Sequence, residues 1–326
     1  MSRDDARFVV SSVLAGQATD AQIGAFLIAL ASKGETTEEL LGMRDAMFEV
    51  STPLALPAEA VDIVGVGGAP RRRVAAFNVS TISCVVASAA GAVVCKHGNR
   101  RASSTSGSFD LLEALGCNIE LPPDRIEAGV QSLGLGFAFA RAHHPSMRHV
   151  GPARAQLGIP TVFNVLGPLS HPGRITRQVL DVPDAARARQ IADVVAGADA
   201  NSDVVWVVHG HEDLDELALT GPSNVIEIRD RDVREFTVDP ADFGLRVVET
   251  DDVLGGDAAY NAELARSVLA GEPSPNRDVV VLNAGAGLVV AGIAEDLTEG
   301  VSQAAAAIDD GRASTKLDEF VAFTNA

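Results

Sequence analysis

Between Gly65 and Phe109 the chain carries Arg71, Arg72, Arg73, Lys96, Arg100 and Arg101 but no aspartate or glutamate. At the chain-wide frequency a stretch of that length would hold about six acids. It opens on Gly65, Gly67 and Gly68, directly after an apolar run, and then places Asn78, Ser80 and Thr81 at the start of a helical pattern. A second hydroxyl-rich loop, Ser103, Ser104, Thr105, Ser106, Gly107 and Ser108, precedes another helix. Glycines let a backbone approach a phosphate closely, and helix N-terminal amides with hydroxyls bind it. Singly, these pieces are a tight turn, two sets of helix caps and a solvated basic loop. Together, with no acid among them, they read as a site for a small phosphorylated anion. No Gly-Lys-Ser/Thr and no Gly-x-Gly-x-x-Gly is present, which excludes a Walker loop and a dinucleotide fingerprint.

A second group, Glu212, Asp213, Asp215 and Glu216, follows an apolar run that ends at His209-Gly210. Carboxylates at the carboxyl end of a strand in an open α/β sheet point into the ligand crevice. Magnesium takes one or two carboxylates together with phosphate oxygens, so the two groups complement each other. Without the phosphate argument, the same acids read equally well as a solvated loop. His143, His144 and His149 lack paired ligand spacing and read as structural or as neighbours of a second substrate.

The elements that must position these residues come in two styles. Residues 4–50 read as helices: Thr19 and Asp20 offer an N-cap, Thr36 with Glu39 forms a capping box, and Gly34 supplies a stop. Ser51 to Pro57, with two prolines and no charge, reads as a linker. From Val61 onward, short apolar runs (62–65, 92–95, 137–140, 178–182 and 203–209) alternate with helical stretches near 80–90, 124–133 and 184–196. That alternation predicts a mainly parallel sheet flanked by helices. Residues 143–172 interrupt it with helix that packs back on the N-terminal helices, and three helical patterns follow, around 258–271, 277–292 and 296–325. The fold class is therefore α/β, with a small all-helical domain (1–57, joined by 143–172) and a larger α/β domain (58–326).

The chain has 326 residues, 47% hydrophobic and 21% charged, with a net charge of −18. So acidic a body repels nucleic acid and anionic membrane unless a local basic patch intervenes. The N-terminus carries no apolar signal core, and the longest mostly apolar run, Ile82 to Cys95, is too short to span a bilayer. Cys84, Cys95 and Cys117, an odd number without CxxC spacing, read as reduced core residues in a cytoplasmic protein. Trp206 reads as core.

The segments Asp20-Ala-Gln-Ile-Gly-Ala-Phe-Leu, Phe77-Asn-Val-Ser-Thr, Lys96-His-Gly-Asn-Arg, Ser106-Gly-Ser, Pro160-Thr-Val-Phe-Asn-Val-Leu-Gly-Pro-Leu and Asp215-Glu-Leu resemble, in order and over nearly the whole chain, the anthranilate phosphoribosyltransferases of glycosyltransferase family 3. The resemblance implies transfer of a phosphoribosyl group from phosphoribosyl pyrophosphate to the amino group of anthranilate or a close aromatic analogue, releasing pyrophosphate, as in tryptophan synthesis. It implies that Gly65, Gly67, Gly68, Asn78, Ser80, Thr81, Lys96 and Ser108 hold the donor. Asp215 and Glu216, with Ser80, would hold magnesium, two ions per site. His97, Asn99 and Arg154 would face the acceptor, with Arg154 pairing its carboxylate. A homodimer through the helical domains is implied as well. A neutral aromatic amine attacks without prior deprotonation, so no catalytic base is assigned, and none is evident beyond His97.

The chain departs from the family pattern in the donor loop. Val66 and Ala69 replace a threonine and an aspartate of the family turn, Pro70 to Ala76 lengthen it, and Ala75-Ala76 stands where Asn-Thr is usual. The family's first helix is expected to be missing. Arg71, Arg72 and Arg73 would either fold over the pyrophosphate or point into solvent. Two other readings stand beside this one: a nucleoside phosphorylase-like enzyme, which would share the architecture and use phosphate in place of pyrophosphate, and a non-catalytic ligand-binding relative, suggested by the altered donor loop.

Overall fold

The computed structural model describes residues 1–67, 76–101, 105–197 and 202–326. The chain begins with three helices, α1 (Arg3–Leu14), α2 (Asp20–Lys33) and α3 (Thr37–Glu49), each started by a capping box, at Ser2, Thr19 and Thr36 respectively. Leu40, Leu41, Met43 and Met47 of α3 turn inward as their spacing predicts. Glu39, with its side chain buried at the α3 start, accepts hydrogen bonds from the Met1 ammonium, Lys33 Nζ and Thr36 N–H. Burial alone would raise its pKa, but these donors outweigh burial and hold it at about 2, below the ordinary 4.5. A depressed carboxyl stabilises the fold above its unfolded value, and that contribution disappears as pH falls. Thermal melts of Glu39→Gln and the parent should differ at neutral pH and converge as pH falls from about 4.5 towards 2.

The α/β part follows as β1 (Val61–Gly65), α4 (Val79–Ala89), β2 (Val94–Gly98), α5 (Ser108–Ala114), α6 (Pro123–Leu133), β3 (Leu135–Phe139), α7 (Ala140–His143), α8 (Gly151–Leu157), α9 (Val162–Leu169), β4 (Arg177–Asp181), α10 (Ala185–Ala196), β5 (Val204–His209), β6 (Ser223–Arg229) and β7 (Asp232–Val238). Four helices close it: α11 (Ala258–Leu269), α12 (Pro275–Ala291), α13 (Leu297–Asp309) and α14 (Arg312–Thr324). The strands form one sheet in the order β3-β2-β1-β4-β5-β6-β7, parallel through β5 and antiparallel beyond it.

Alternate residues of each strand serve opposite faces. Val61, Ile63, Val179, Trp206 and Val208 pack into the core beneath α4 and α12. Val64, Leu180, Val205 and Val207 pack into the core shared by α1–α3, α8, α9 and α10. Within the 143–172 segment, Ala153, Val162, Phe163, Val165, Leu166 and Leu169 share this second core with the first three helices. The helix after β1 covers one face and the helix after β4 covers the other, so the winding reverses between these two adjacent strands. A crevice opens beyond their carboxyl ends at such a reversal. The paired residues at that edge are Gly65 and Asp181.

Three expectations are corrected. The 296–325 pattern is two helices, because Gly311 takes a left-handed φ of +81° between α13 and α14. Strand β2 runs on to Gly98, so Lys96 and His97 are strand residues, while Ala140 starts a helix instead of ending a strand. The β6–β7 hairpin has no counterpart among the expected elements. Its turn residues Asp230 and Arg231 both have positive φ, without the glycine that marks such turns in sequence. The three cysteines are free and buried, and Trp206 is core, its indole N–H donating to Glu227. No described helix is long and apolar enough to cross a membrane.

Candidate active site

The crevice edge is built from close approaches. A Cβ placed on Gly65 would lie 3.3 Å from Asp215 Oδ2 and 3.7 Å from Asp181 Cβ, so the glycine lets the carboxylate loop close over the end of β1. That loop leaves β5 through Glu212 and Asp213, both with left-handed backbones (φ 59° and 57°), and a bridge between Gly210 and Leu214 folds it back. Asp215 is partly exposed at the crevice, whereas Glu216 is buried. Asp181 is 1% exposed, and neither of its carboxylate oxygens has a hydrogen-bond partner among the described residues. Burial first, and then the like charges of Asp215 and Glu216, push its carboxyl well above the usual range. Sequence reasoning missed Asp181, although an acid closing an apolar strand was a visible signal.

The next described element after β1 is α4. Asn78 occupies its N-cap but makes no side-chain bond to the helix, so the positive end of the helix dipole is open to an external anion. The Asn78 amide is used elsewhere: its Nδ2 donates to Ser106 C=O, and its Oδ1 accepts from Asn261 Nδ2. Asn261, fully buried in α11, also donates to Ala76 C=O and accepts from Gly256 N–H. One side chain therefore ties Ala76, the α4 N-cap and, through Asn78, the Ser106 segment into one unit. Asn261→Ala should raise the KM for a donor bound there several-fold and leave the acceptor KM near that of the parent; steady-state kinetics with each substrate varied would check this.

Ser80 is partly exposed in the first turn of α4, next to buried Thr81. Ser108 Oγ donates to Asn99 C=O where the 98–101 and 105–108 segments cross. Gly107 makes that crossing possible, since a Cβ there would collide with the Arg101 and Asn99 backbone. Arg100 is engaged by Asp110 and Glu113 of α5, so the acid-free window is partly neutralised by acids just beyond it. Gly67 ends the described part of the donor turn. Gly68, Ala69, Pro70, Arg71, Arg72, Arg73, Ala75, Ser103 and Ser104 lie outside the described residues.

Strand alternation sends Lys96 and His97 to different faces. Lys96 is 2% exposed, donates to Ile63 C=O, and places its charge near Asp62, Cys84 and Asp181. His97 faces α9, with its Nδ1 3.0 Å from Gly167 C=O. That carbonyl can only accept, so Nδ1 carries the proton and Nε2 is bare; it has no partner among the described residues. Burial, then His171 and His144, hold the imidazole well below its usual pKa, so it stays neutral. The His144 and His171 rings stand 5.3 and 5.6 Å from it. His171, missed in the sequence, is fixed between Cys95 C=O and Gly173 N–H. His143 binds Thr52 C=O and His149 packs on Gly16, so both are structural.

Arg154, half-buried on α8, donates to Asn164 Oδ1 at 3.0 Å and makes no ion pair with a carboxylate among the described residues. Helix α9 thus holds both Arg154, through Asn164, and His97, through Gly167. Asn99 is exposed at the end of β2, and its side chain accepts from Arg100 N–H.

The acids fit magnesium. They are hard oxygen donors at the mouth of an anion-binding crevice, and among the described residues no three His, Cys, Asp or Glu groups gather to hold a metal unaided. Such a site leaves coordination positions for substrate oxygens and water.

Residues 1–51 match the glycosyl transferase family helical bundle domain, and residues 57–314 match the glycosyl transferase family a/b domain. The anthranilate phosphoribosyltransferase of Methylobacterium nodulans is 44% identical over all 326 residues, which span 95% of that protein. The crystal structure of the enzyme of that name from Thermus thermophilus superposes with a TM-score of 0.91 at 39% identity, covering 100% of this chain and 96% of that one. The Saccharomyces cerevisiae enzyme, solved with PRPP and Mg and with 4-fluoroanthranilate, gives TM-scores of 0.90 and 0.87 at 28% identity, over 99% of this chain and 93% of that one. The chain belongs to the anthranilate phosphoribosyltransferase family.

Proposed function

We propose that this enzyme transfers the phosphoribosyl group of phosphoribosyl pyrophosphate to the amino group of anthranilate. The observation that carries this reading is Arg154, a half-buried guanidinium held by Asn164 with no carboxylate partner among the described residues. It presents a planar fork to an external carboxylate, a few residues from the helix that fixes His97.

The donor lies along the crevice, its phosphates against Gly65, Gly67, the α4 N-terminus with Asn78, Ser80 and Thr81, and Ser108, with Lys96 at the end of β2. The acceptor lies on the α9 side between His97, Asn99 and Arg154. The amine nitrogen attacks ribose C1, the bond from C1 to the pyrophosphate oxygen breaks with its electron pair leaving on pyrophosphate, and the proton shed by the new ammonium passes to the departing pyrophosphate or to solvent. Magnesium held by Asp215, Glu216 and Ser80, two ions per site, supplies neutralisation of that charge when bound. The Lys96 ammonium and the open α4 terminus add fixed positive potential on the same face. Neutral His97 offers Nε2 as a hydrogen-bond acceptor to the amine; with its pKa so low it orients the nucleophile and hardly deprotonates it. Positioning of the two substrates on one strand end supplies much of the acceleration.

The same reading includes a small domain of residues 1–57 joined by 143–172, a larger one of 58–326, and residence in the cytoplasm. It also includes a homodimer through the helical domain, supported by the exposed apolar side chains of Phe8 on α1 and Ile28 on α2. The test is incubation with phosphoribosyl pyrophosphate, Mg²⁺ and anthranilate, following the loss of anthranilate fluorescence. Loss that requires all three components is the expected result; no loss with saturating donor would overturn the assignment.

A further inference from the structure

We infer that Asp181 is a third carboxylate of the magnesium centre, one that grips the ion through its water shell. The inference rests on the reading of Asp215 and Glu216 as the metal ligands and extends it to a residue outside the family motifs quoted above. Asp181 closes β4 opposite Gly65, at the point where the sheet reverses its winding and the crevice opens. It is almost wholly inaccessible, and both oxygens lack a hydrogen-bond donor among the described residues. A buried carboxylate in that condition is costly unless something outside the protein satisfies it. Its strongest charged neighbours are Asp215 and Glu216, and a Cβ on Gly65 would come within 4 Å of both Asp181 and Asp215. Lys96, the nearby cation, gives its hydrogen bond to Ile63 C=O.

The ligand that satisfies three such acids is a hydrated divalent cation. Direct coordination by all three is excluded, since no such trio gathers closely enough among the described residues. Magnesium keeps several waters when bound to protein, and their hydrogens are the donors that Asp181 lacks. Partners of this outer kind orient a metal centre and typically alter its affinity by about 10- to 100-fold.

Mn²⁺ titrations followed by electron paramagnetic resonance, with inorganic pyrophosphate present and without turnover, test the assignment on the parent, Asp181→Asn and Asp215→Asn. Affinity should fall about tenfold or more in Asp181→Asn, and further in Asp215→Asn. Parent-like affinity in Asp181→Asn with loss in Asp215→Asn would show a buried carboxyl with no part in the metal site, and would overturn the inference alone. Parent-like affinity in both would overturn the underlying metal assignment. If Asp181→Asn fails to fold, Asp181→Ser, smaller and uncharged, gives the same comparison, with Mn²⁺-dependent thermal shifts as its readout.

Discussion

Turnover is expected to fall by at least about a thousandfold when Asp215→Asn and Glu216→Gln are combined. On the proposed reading, the leaving pyrophosphate concentrates several negative charges at the mouth of the crevice, and the acid pair recruits the cation that offsets them. The same substitutions remove two like charges facing Asp181, so the melting temperature should hold or rise. Kinetics over a magnesium series, beside a thermal melt, would separate these effects. Near-parent turnover at limiting Mg²⁺ would remove the pair from the metal site, whereas a collapsed melt would mark them as structural.

Arg154→Ala should raise the acceptor KM much more than the donor KM. A lost charge-assisted contact is worth about 1.5–3 kcal/mol, or roughly 10- to 150-fold in acceptor kcat/KM. Because Asn164 Oδ1 fixes the guanidinium, Asn164→Ala should cause a smaller loss in the same direction. Equal effects on both substrates would place Arg154 in a scaffolding role.

Much of this was legible in the sequence because local rules and global packing agree. The N-cap at Thr19, the capping box at Thr36, the strand runs at 62–65, 178–182 and 203–209 and the helix that follows Asn78 fall close to where periodicity and cap chemistry put them. The failures have physical causes. The hairpin turn at Asp230-Arg231 adopts positive φ without glycine, so no turn signal precedes it. The alanine run Ala304 to Ala307 continues through Ile308, Asp309 and Asp310 to Gly311, and one glycine after so helical a stretch does not announce a break. In the site, motif residues were readable individually, but their supports were not. Asn164, Asn261 and His171 act through hydrogen bonds to segments 10 to 185 residues away, contacts that only the tertiary fold creates. The 65–109 window also overstated its positive charge, because Arg100 is answered by Asp110 and Glu113.

The odd–even alternation at Lys96 and His97 has an evolutionary consequence. On the proposed reading, β2 divides the contacts of the two reactants at its carboxyl end, with Lys96 in even register on the donor side and His97 in odd register on the acceptor side. Selection can therefore remodel one compartment while the other is left alone. In this chain the altered turn after Gly65 and the unaltered Phe163-Asn-Val-Leu-Gly-Pro-Leu segment are such an uneven pair. Acceptor variants selected from a library at α9 and at odd positions of β2 should keep their donor handling, whereas a one-residue deletion within β2 would exchange the two compartments and destroy both.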